Sequence, residues 1–93
     1  MSDFSVVHLP EQSRFELRVD GVTAGELDYV LHGTVATMYH TEVFPQFGGQ
    51  GGGAALVHAA LETAREKGWS VSPTCSFVRG YIAAHHEYAD LVA

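Results

Sequence analysis

Residues 39–55 read YHTEVFPQFGGQGGGAA and decide the fold, because a strand-like run ends here, a glycine cluster follows, and a helical pattern begins. Five of the ten glycines in the chain fall between residues 48 and 53. The spacing of apolar residues after Pro45 predicts a helix over 51–67, and a glycine in its first turn costs about 1 kcal/mol relative to alanine. Free N–H groups and the helix dipole attract anions at such a helix start, so the cluster predicts a phosphate-binding loop. The alternative is a flexible loop that only precedes a helix.

The chain before this loop has the pattern of an antiparallel meander. Residues 14–19 alternate polar and apolar side chains without error, and Asp20-Gly21 follows, a pair that suits a tight hairpin turn. Gly33 offers a second turn. The predicted strands are 5–9, 14–19, 22–31 and 34–43, with Leu27, Tyr29 and Leu31 facing inward.

The chain after the loop predicts a helix, a short strand and a second helix. Gly68 lies where a helix end favours a left-handed residue. Pro73 removes one backbone donor from the next strand, which places it at an edge, a bulge, or beside a strand that has splayed away. The fold class is therefore α/β in the α+β sense: a mostly antiparallel meander of about four to five strands, a glycine-rich loop and helix, a last strand that contains Pro73, and a C-terminal helix. The predicted elements are a strand over 69–74, a helix over 76–84 with Phe77, Tyr81 and Val78 on one face, and a turn over 87–91.

Length and composition limit the class of protein. A chain of 93 residues has room for one domain, which we predict over residues 1–93. The formal net charge of −6 argues against a nucleic-acid partner, whose phosphates need a basic face. Cys75 is the only cysteine, so no intrachain disulfide can form, and a small domain without bridges fits the cytoplasm. Residues 1–4 hold no cationic segment followed by an apolar one, so neither export nor membrane insertion is indicated.

Two nucleotide-binding motifs are present only in part. A Walker loop needs Lys and then Ser or Thr after its last glycine, whereas Ala54 and Ala55 follow Gly53 here, which excludes an ATP or GTP loop. Residues 49–54 match a relaxed dinucleotide fingerprint. However, several strands precede this match, and residues 69–76 hold no carboxylate for a ribose, so the match is interpreted as accidental.

The order of meander, glycine-rich turn, helix, strand and helix resembles the central part of the GNAT superfamily of acetyl-CoA-dependent N-acetyltransferases. The signature loop of that superfamily is Arg or Gln, two residues, Gly, one residue, then Gly or Ala. Gly51 and Gly53 match its two small residues, whereas Gly48 stands in place of the leading Arg or Gln. The segments 40–43 and 73–78, with Tyr81 and 85–88, look more closely like the minimal stand-alone GNAT-like proteins.

The resemblance implies acetyl-CoA as the cofactor and a V-shaped cleft where the strand ending at Val43 diverges from the strand near 70–74. The pantetheine arm would bind the unpaired backbone of this cleft like an added strand. Residues 39–64 contain no Lys or Arg, which leaves Arg65 and Arg79 as the nearest phosphate partners and predicts modest affinity. The implied cofactor-binding residues are Val43, Phe47, Gly48, Gly49, Gln50, Gly51, Gly52, Gly53 and Phe77.

His40 and Glu42 are the first candidates for chemistry, because acetyl transfer to an amine needs a base that takes the amine's proton. Residues two apart on a strand point to the same face, and their backbone positions are about 6.6 Å apart. A carboxylate beside an imidazole can tune its basicity. The alternative is a solvated carboxylate and a histidine with no catalytic role.

Cys75 and Tyr81 are the second pair of candidates. Cys75 lies where the last strand gives way to a helix, and a helix N-terminus lowers the pKa of a thiol. The resemblance implies a cysteine near the acetyl group, so that Cys75 and His40 form a nucleophile and base pair and Cys75 carries the acetyl group before it is passed on. The alternatives are direct transfer in a ternary complex and a thiol with no catalytic role. Tyr81 is the candidate proton donor to the departing sulfur, or a core side chain.

The sequence therefore predicts an acetyl-CoA-dependent N-acetyltransferase that acts on an amine of a small molecule or a protein. No metal site is expected, because adjacent residues such as His85 and His86 diverge by about 100° on a helix. The net charge mildly favours cationic amines. The alternatives are a non-catalytic acyl-CoA-binding module and a general anion-binding fold. No nucleic-acid or membrane partner is expected.

Overall fold

Alternating side chains and tight turns fold the first half of the chain into antiparallel strands. The computed structural model describes residues 4–93. The domain predicted over residues 1–93 and the prediction made from residues 1–4 therefore each include three residues that lie outside the described residues. Asp20 and Gly21 close the first hairpin with positive φ angles of 50° and 82°. The strands are β1 (Phe4–Leu9), β2 (Arg14–Val19), β3 (Val22–His32), β4 (Val35–Val43) and β5 (Ser70–Pro73), and they lie in this order in one five-stranded sheet.

The last strand reverses the direction of pairing. β5 pairs parallel to β4, whereas the earlier neighbours pair antiparallel. A parallel pair needs a crossover, which helix α1 (Gly52–Lys67) supplies. Gly68 ends this helix with φ at 72°, the left-handed conformation that the sequence predicts. Helix α2 (Ser76–Ala84) follows β5, and a 3₁₀ helix over His86–Leu91 closes the chain.

The two faces of the sheet differ in what covers them. Phe15, Leu17 and Val19 of β2 are at most 5% exposed and face helix α1, to which α2 and the closing 3₁₀ helix also pack. The alternate residues of β2 are polar and lie on the opposite face. Within residues 4–93 the helices therefore cover one face of the sheet, and the other is called here the helix-free face.

Two predictions about side-chain direction are wrong: that Leu31 faces inward and that Val78 shares a helix face with Phe77. Leu31 lies near the end of β3 and is 40% exposed. The buried face of α2 consists of Val78 and Ile82, four positions apart, whereas Phe77 is 48% exposed. Neighbouring helical residues differ by about 100°, so Phe77 and Val78 cannot share one face. No helix among the described residues has both the length and the apolar character needed to cross a membrane.

Candidate functional site

The strands β4 and β5 part shortly after they pair. Their register runs from Val35 opposite Ser70 to Met38 opposite Pro73 and then stops. Pro73 has no N–H to continue the ladder, and the Cys75 N–H donates to the Met38 carbonyl at 3.0 Å. The register shift between β3 and β4 leaves Tyr39 as an extra residue. Among residues 4–93, the remainder of β4 therefore has no strand beside it on this edge, which is the divergence that the resemblance implies.

The glycine loop lies between the end of β4 and helix α1. A 3₁₀ turn over Pro45–Phe47 leads into it, and Gly51 is the residue immediately before the helix. In the described part of the chain, no acceptor binds the N–H groups of Gly49, Gln50 or Gly51. The first N–H groups of α1 also lack intrahelical partners. These donors and the helix dipole fit an anion such as a phosphate.

Backbone conformation or packing constrains four of the loop glycines. Gly49 and Gly51 have φ angles of 78° and 80°, where a side chain is strained. A Cβ at Gly52 would collide with the Cδ2 atom of Leu17 in the core. A Cβ at Gly53 would lie 2.9 Å from the ring of Phe77. Backbone conformation and packing therefore explain glycine at these positions whether or not a phosphate binds close to the loop.

Gly48 is different from the other loop glycines. Its φ is −67°, which any residue adopts, and it follows the 3₁₀ turn in extended conformation. A Cβ there would lie 3.4 Å from the Pro45 carbonyl oxygen, at the edge of ordinary contact. This position therefore accepts a side chain beside the free N–H groups.

The two arginines predicted near the phosphates have other partners. Arg65 binds both carboxylate oxygens of Asp90 at 3.0 Å and the Glu87 carbonyl at 2.7 Å. Arg79 donates to the carbonyls of Pro73 and Thr74, at 3.2 and 2.7 Å. Neither guanidinium is hydrogen bonded to the loop, so N–H dipoles remain its main attraction for an anion.

The other residues predicted to bind the cofactor surround the loop. Val43 and Phe47 are half-buried and pack against the core, whereas Gln50 is exposed. Phe77 lies against Gly53 and joins the first turns of the two helices. The structure thus brings the loop, the end of β4 and the start of α2 together.

His40 and Glu42 lie on the helix-free face. The His40 Nε2 atom is 3.3 Å from the Glu42 Oε1 atom, so the two side chains share a face as their spacing predicts. Their side chains are 45% and 51% exposed, which leaves the imidazole open to a molecule from solution.

Cys75 lies on the other side of β4, at the start of helix α2. Its thiol donates to the Thr41 Oγ1 atom at 3.6 Å. Burial acts to raise the pKa of the Cys75 thiol, but hydrogen bonds from the Val78 and Phe77 N–H groups and from Thr41 outweigh it. The pKa of Cys75 therefore lies below its ordinary value, as the sequence predicts for a helix start.

The structure does not place the His40 imidazole against the Cys75 thiol. His40 and Thr41 are successive residues of β4, so their side chains point to opposite faces. Glu42 is the hydrogen-bond partner of His40, and Thr41 is that of Cys75. The imidazole and the thiol thus flank the opening between β4 and β5 from opposite sides.

Tyr81 is also separate from Cys75. Six positions along a helix correspond to about 9 Å of rise and about 240° of rotation, so the Tyr81 side chain points in a different direction from that of Cys75. The Tyr81 ring stacks on His85 with centroids 3.8 Å apart, and it lines a groove of about 540 Å³ with Ala54 and His58. Burial and nearby Glu87 raise the pKa of Tyr81, so its hydroxyl holds its proton at neutral pH.

A cluster on the helix-free face has the residue types of a metal site. Ligand atoms of Glu26, Asp28 and His40 lie within 4.8 Å of one another. Arg14 already supplies a cation there, with its Nε atom 2.7 Å from Asp28 and an Nη atom 3.4 Å from Glu26. We therefore interpret the cluster as an ion-pair network.

Thr41 and Asp28 lie beside the candidate residues Cys75 and His40 and were not predicted from the sequence. The alternation that placed His40 and Glu42 on one face also places Thr41 on the other, so the signal for Thr41 was present. Asp28 interrupts the apolar run of β3 and becomes buried with Arg14 beside it. Its place opposite His40 depends on the register shift at Tyr39, which the sequence pattern does not reveal.

Comparisons with known proteins agree with this geometry. A family model described as GCN5-related N-acetyl-transferase matches residues 14–91. A search of curated proteins found no significant match. Solved structures match well, among them the NMR structure of a GCN5-like candidate N-acetyltransferase from Staphylococcus aureus, at 25% identity and a TM-score of 0.74. That match covers 100% of this chain and 91% of the other.

Two further solved structures share the fold at lower identity. The ribosomal-protein-S18-alanine N-acetyltransferase from Escherichia coli is 16% identical, with a TM-score of 0.62, and the match covers 97% of this chain and 75% of that enzyme. N-acetylglutamate synthase from Neisseria gonorrhoeae, crystallised with coenzyme A and N-acetyl-glutamate, is 19% identical with a TM-score of 0.57. That match covers 73% of this chain and 18% of the synthase.

Proposed function

Because the chain belongs to the GCN5-related N-acetyltransferase family and is an acyltransferase, we propose that it transfers an acetyl group from acetyl-CoA to an amine of a small molecule or a protein. Residues 1–93 act as one acetyltransferase domain in this proposal. The observation that carries it is the opening between β4 and β5, which has the glycine loop at one end and His40 beside it.

The residues around the loop fit the phosphate and pantetheine groups of the cofactor. The free N–H groups of Gly49, Gln50 and Gly51, with the start of α1, would hold the pyrophosphate. The unpaired edge of β4 would bind the amide-bearing arm as an added strand does. Val43, Phe47 and Phe77 would line its path. Bound acetyl-CoA supplies the activated thioester.

His40 acts as the general base on the helix-free face. It accepts a proton from the acceptor ammonium or amine on a ring nitrogen, and Glu42 stabilises the resulting imidazolium from 3.3 Å. The electron pair of the nitrogen forms the new bond to the acetyl carbon, the carbon–sulfur bond of the thioester breaks, and the departing sulfur takes up a proton to leave as the free thiol. The acceptor thus approaches from the face that the helices leave open, and Tyr81 is the candidate donor to the departing sulfur.

A ligand-binding and turnover experiment tests the proposal. We expect acetyl-CoA to raise the melting temperature in proportion to occupancy, and ADP to raise it less at equal concentration. Thiol release with an amine panel should then exceed hydrolysis without amine. Binding without turnover would favour the acyl-CoA-binding module, and equal stabilisation by ADP would favour the general anion-binding fold.

Cys75 offers a covalent route that we test separately. Its lowered pKa makes thiolate available at a lower pH than in a free cysteine, so acetylation of Cys75 by acetyl-CoA alone should increase with pH and reach half its maximum below the ordinary thiol pKa. Intact-mass analysis of wild type and Cys75→Ala measures the adduct. An adduct that persists in Cys75→Ala, or none in wild type, would leave direct transfer as the route.

A further inference from the structure

Four titratable side chains form a square on the helix-free face. In the β3–β4 ladder, Asp28 lies directly opposite His40, and Glu26 lies directly opposite Glu42. Side chains two apart on each strand share the same face. The proposed base therefore has carboxylates beside it along its own strand and across the ladder.

Asp28 differs from the other members of this square in its burial. It is 7% exposed, the one buried charged or polar residue within the described part of the chain. Arg14 holds it in place, with the guanidinium Nε donating to the Asp28 Oδ1 atom at 2.7 Å. Glu42, in contrast, is half exposed to solvent. The Asp28 carboxylate is thus fixed in position by Arg14 and shielded from water, whereas the Glu42 carboxylate is screened by water.

We propose that Asp28 is a positioning residue for the base of the transfer reaction, holding a fixed negative charge beside the His40 imidazole as it takes the acceptor's proton. This inference rests on the proposed function. In that step the N–H bond of the amine breaks and an N–H bond forms on the ring, which becomes a cation. In this role Asp28 stabilises that cation electrostatically and takes no part in the proton transfer.

The neighbouring charges support Asp28 as the anion of the pair. The hydrogen bond with Asp28, burial and the charge of Asp28 together raise the pKa of Glu26, so Glu26 gives up its proton less readily than an ordinary glutamate. On β2, Arg14 faces the pair and Glu16 is bound to Arg18 at 3.1 Å. The charged and titratable groups around His40 are thus Arg14 from β2, Glu26 and Asp28 from β3, and Tyr39 and Glu42 from β4, whereas Glu16 and Arg18 lie farther along β2 and pair with each other.

Replacing Asp28 by asparagine tests the role of its charge. We expect Asp28→Asn to lower kcat about tenfold, to leave the KM for acetyl-CoA unchanged, and to move the acid limb of the pH profile to lower pH. Glu16→Gln is the matched control, because it removes a carboxylate from the same face two strands away. The control should keep the wild-type profile.

Replacing Arg14 by methionine is expected to move the pH profile in the opposite direction. Loss of the guanidinium leaves more negative charge near His40, so the acid limb should move to higher pH. A merely structural role would weaken both variants in the same direction and shift neither profile. Arg14→Met also carries the test alone if Asp28→Asn does not fold.

NMR titration of the His40 ring separates failure of this inference from failure of the proposed function. Its midpoint should fall in Asp28→Asn and rise in Arg14→Met, whether or not the protein acetylates any amine tested. A wild type without transfer activity would overturn the proposed function, and unchanged midpoints in both variants would overturn the role of Asp28. Unchanged kcat and pH profile in an active Asp28→Asn would overturn it as well.

Discussion

Replacing His40 by alanine is expected to lower kcat/KM for acetyl transfer by about a hundredfold or more, the range of a lost general base. The imidazole lies on the helix-free face, whereas the glycine loop lies at the start of α1. Binding of acetyl-CoA should therefore remain at the wild-type level. Steady-state kinetics with the best amine of the panel, beside calorimetric titration with acetyl-CoA, measure the two quantities.

His32→Ala is the matched control for this prediction. His32 is an exposed histidine at the far end of β3, opposite Val35, and takes no part in the proposed site. The His32→Ala variant should therefore retain the wild-type kcat and KM. Full activity in His40→Ala would remove His40 as the base, and a parallel loss of acetyl-CoA affinity would indicate a role in the fold of β4 instead.

Local patterns predicted most of the fold, because each signal depends on neighbours in the sequence. The alternation in residues 14–19 gives β2 with the bounds Arg14–Val19, and the helical spacing gives α2 with the bounds Ser76–Ala84. Gly68 ends α1 as predicted because a left-handed residue is needed there. The divergence after Pro73 follows from its missing N–H.

The surroundings of the site depend on contacts that no local pattern encodes. Asp28 faces His40 only because an extra residue at Tyr39 shifts the ladder by one position. Phe77 lies against Gly53, and Val78 is buried on another face of α2. Both positions depend on how the two helices pack. The same contact gives Gly53 a packing role that the motif alone cannot show.

Those packing roles also decide which loop residue can report on cofactor binding. Bulky replacements at Gly51 or Gly53 disturb a left-handed backbone or the Phe77 contact, so a loss of binding there would not identify the phosphate site. Gly48 has an ordinary φ and room for a Cβ. It is also the position where the GNAT signature has Arg or Gln.

Gly48→Arg is accordingly expected to increase the affinity for acetyl-CoA. Hydrogen bonds to charged groups contribute about 1.5–3 kcal/mol, which corresponds to a decrease in Kd of roughly tenfold to a hundredfold. The gain arises because residues 39–64 contain no Lys or Arg, and because Arg65 and Arg79 are bound elsewhere. Calorimetric titration at two salt concentrations measures it, since added salt should reduce the gain.

Gly48→Met separates the effect of the charge from that of a longer side chain. It has comparable length and no charge, so its Kd should stay near that of wild type. An equal gain in both variants would point to a stiffer loop backbone, since either replacement removes the freedom of glycine. A Gly48→Arg variant that folds and binds acetyl-CoA no better than wild type would show that the pyrophosphate does not lie against this loop, and the proposed cofactor site would then have to be abandoned.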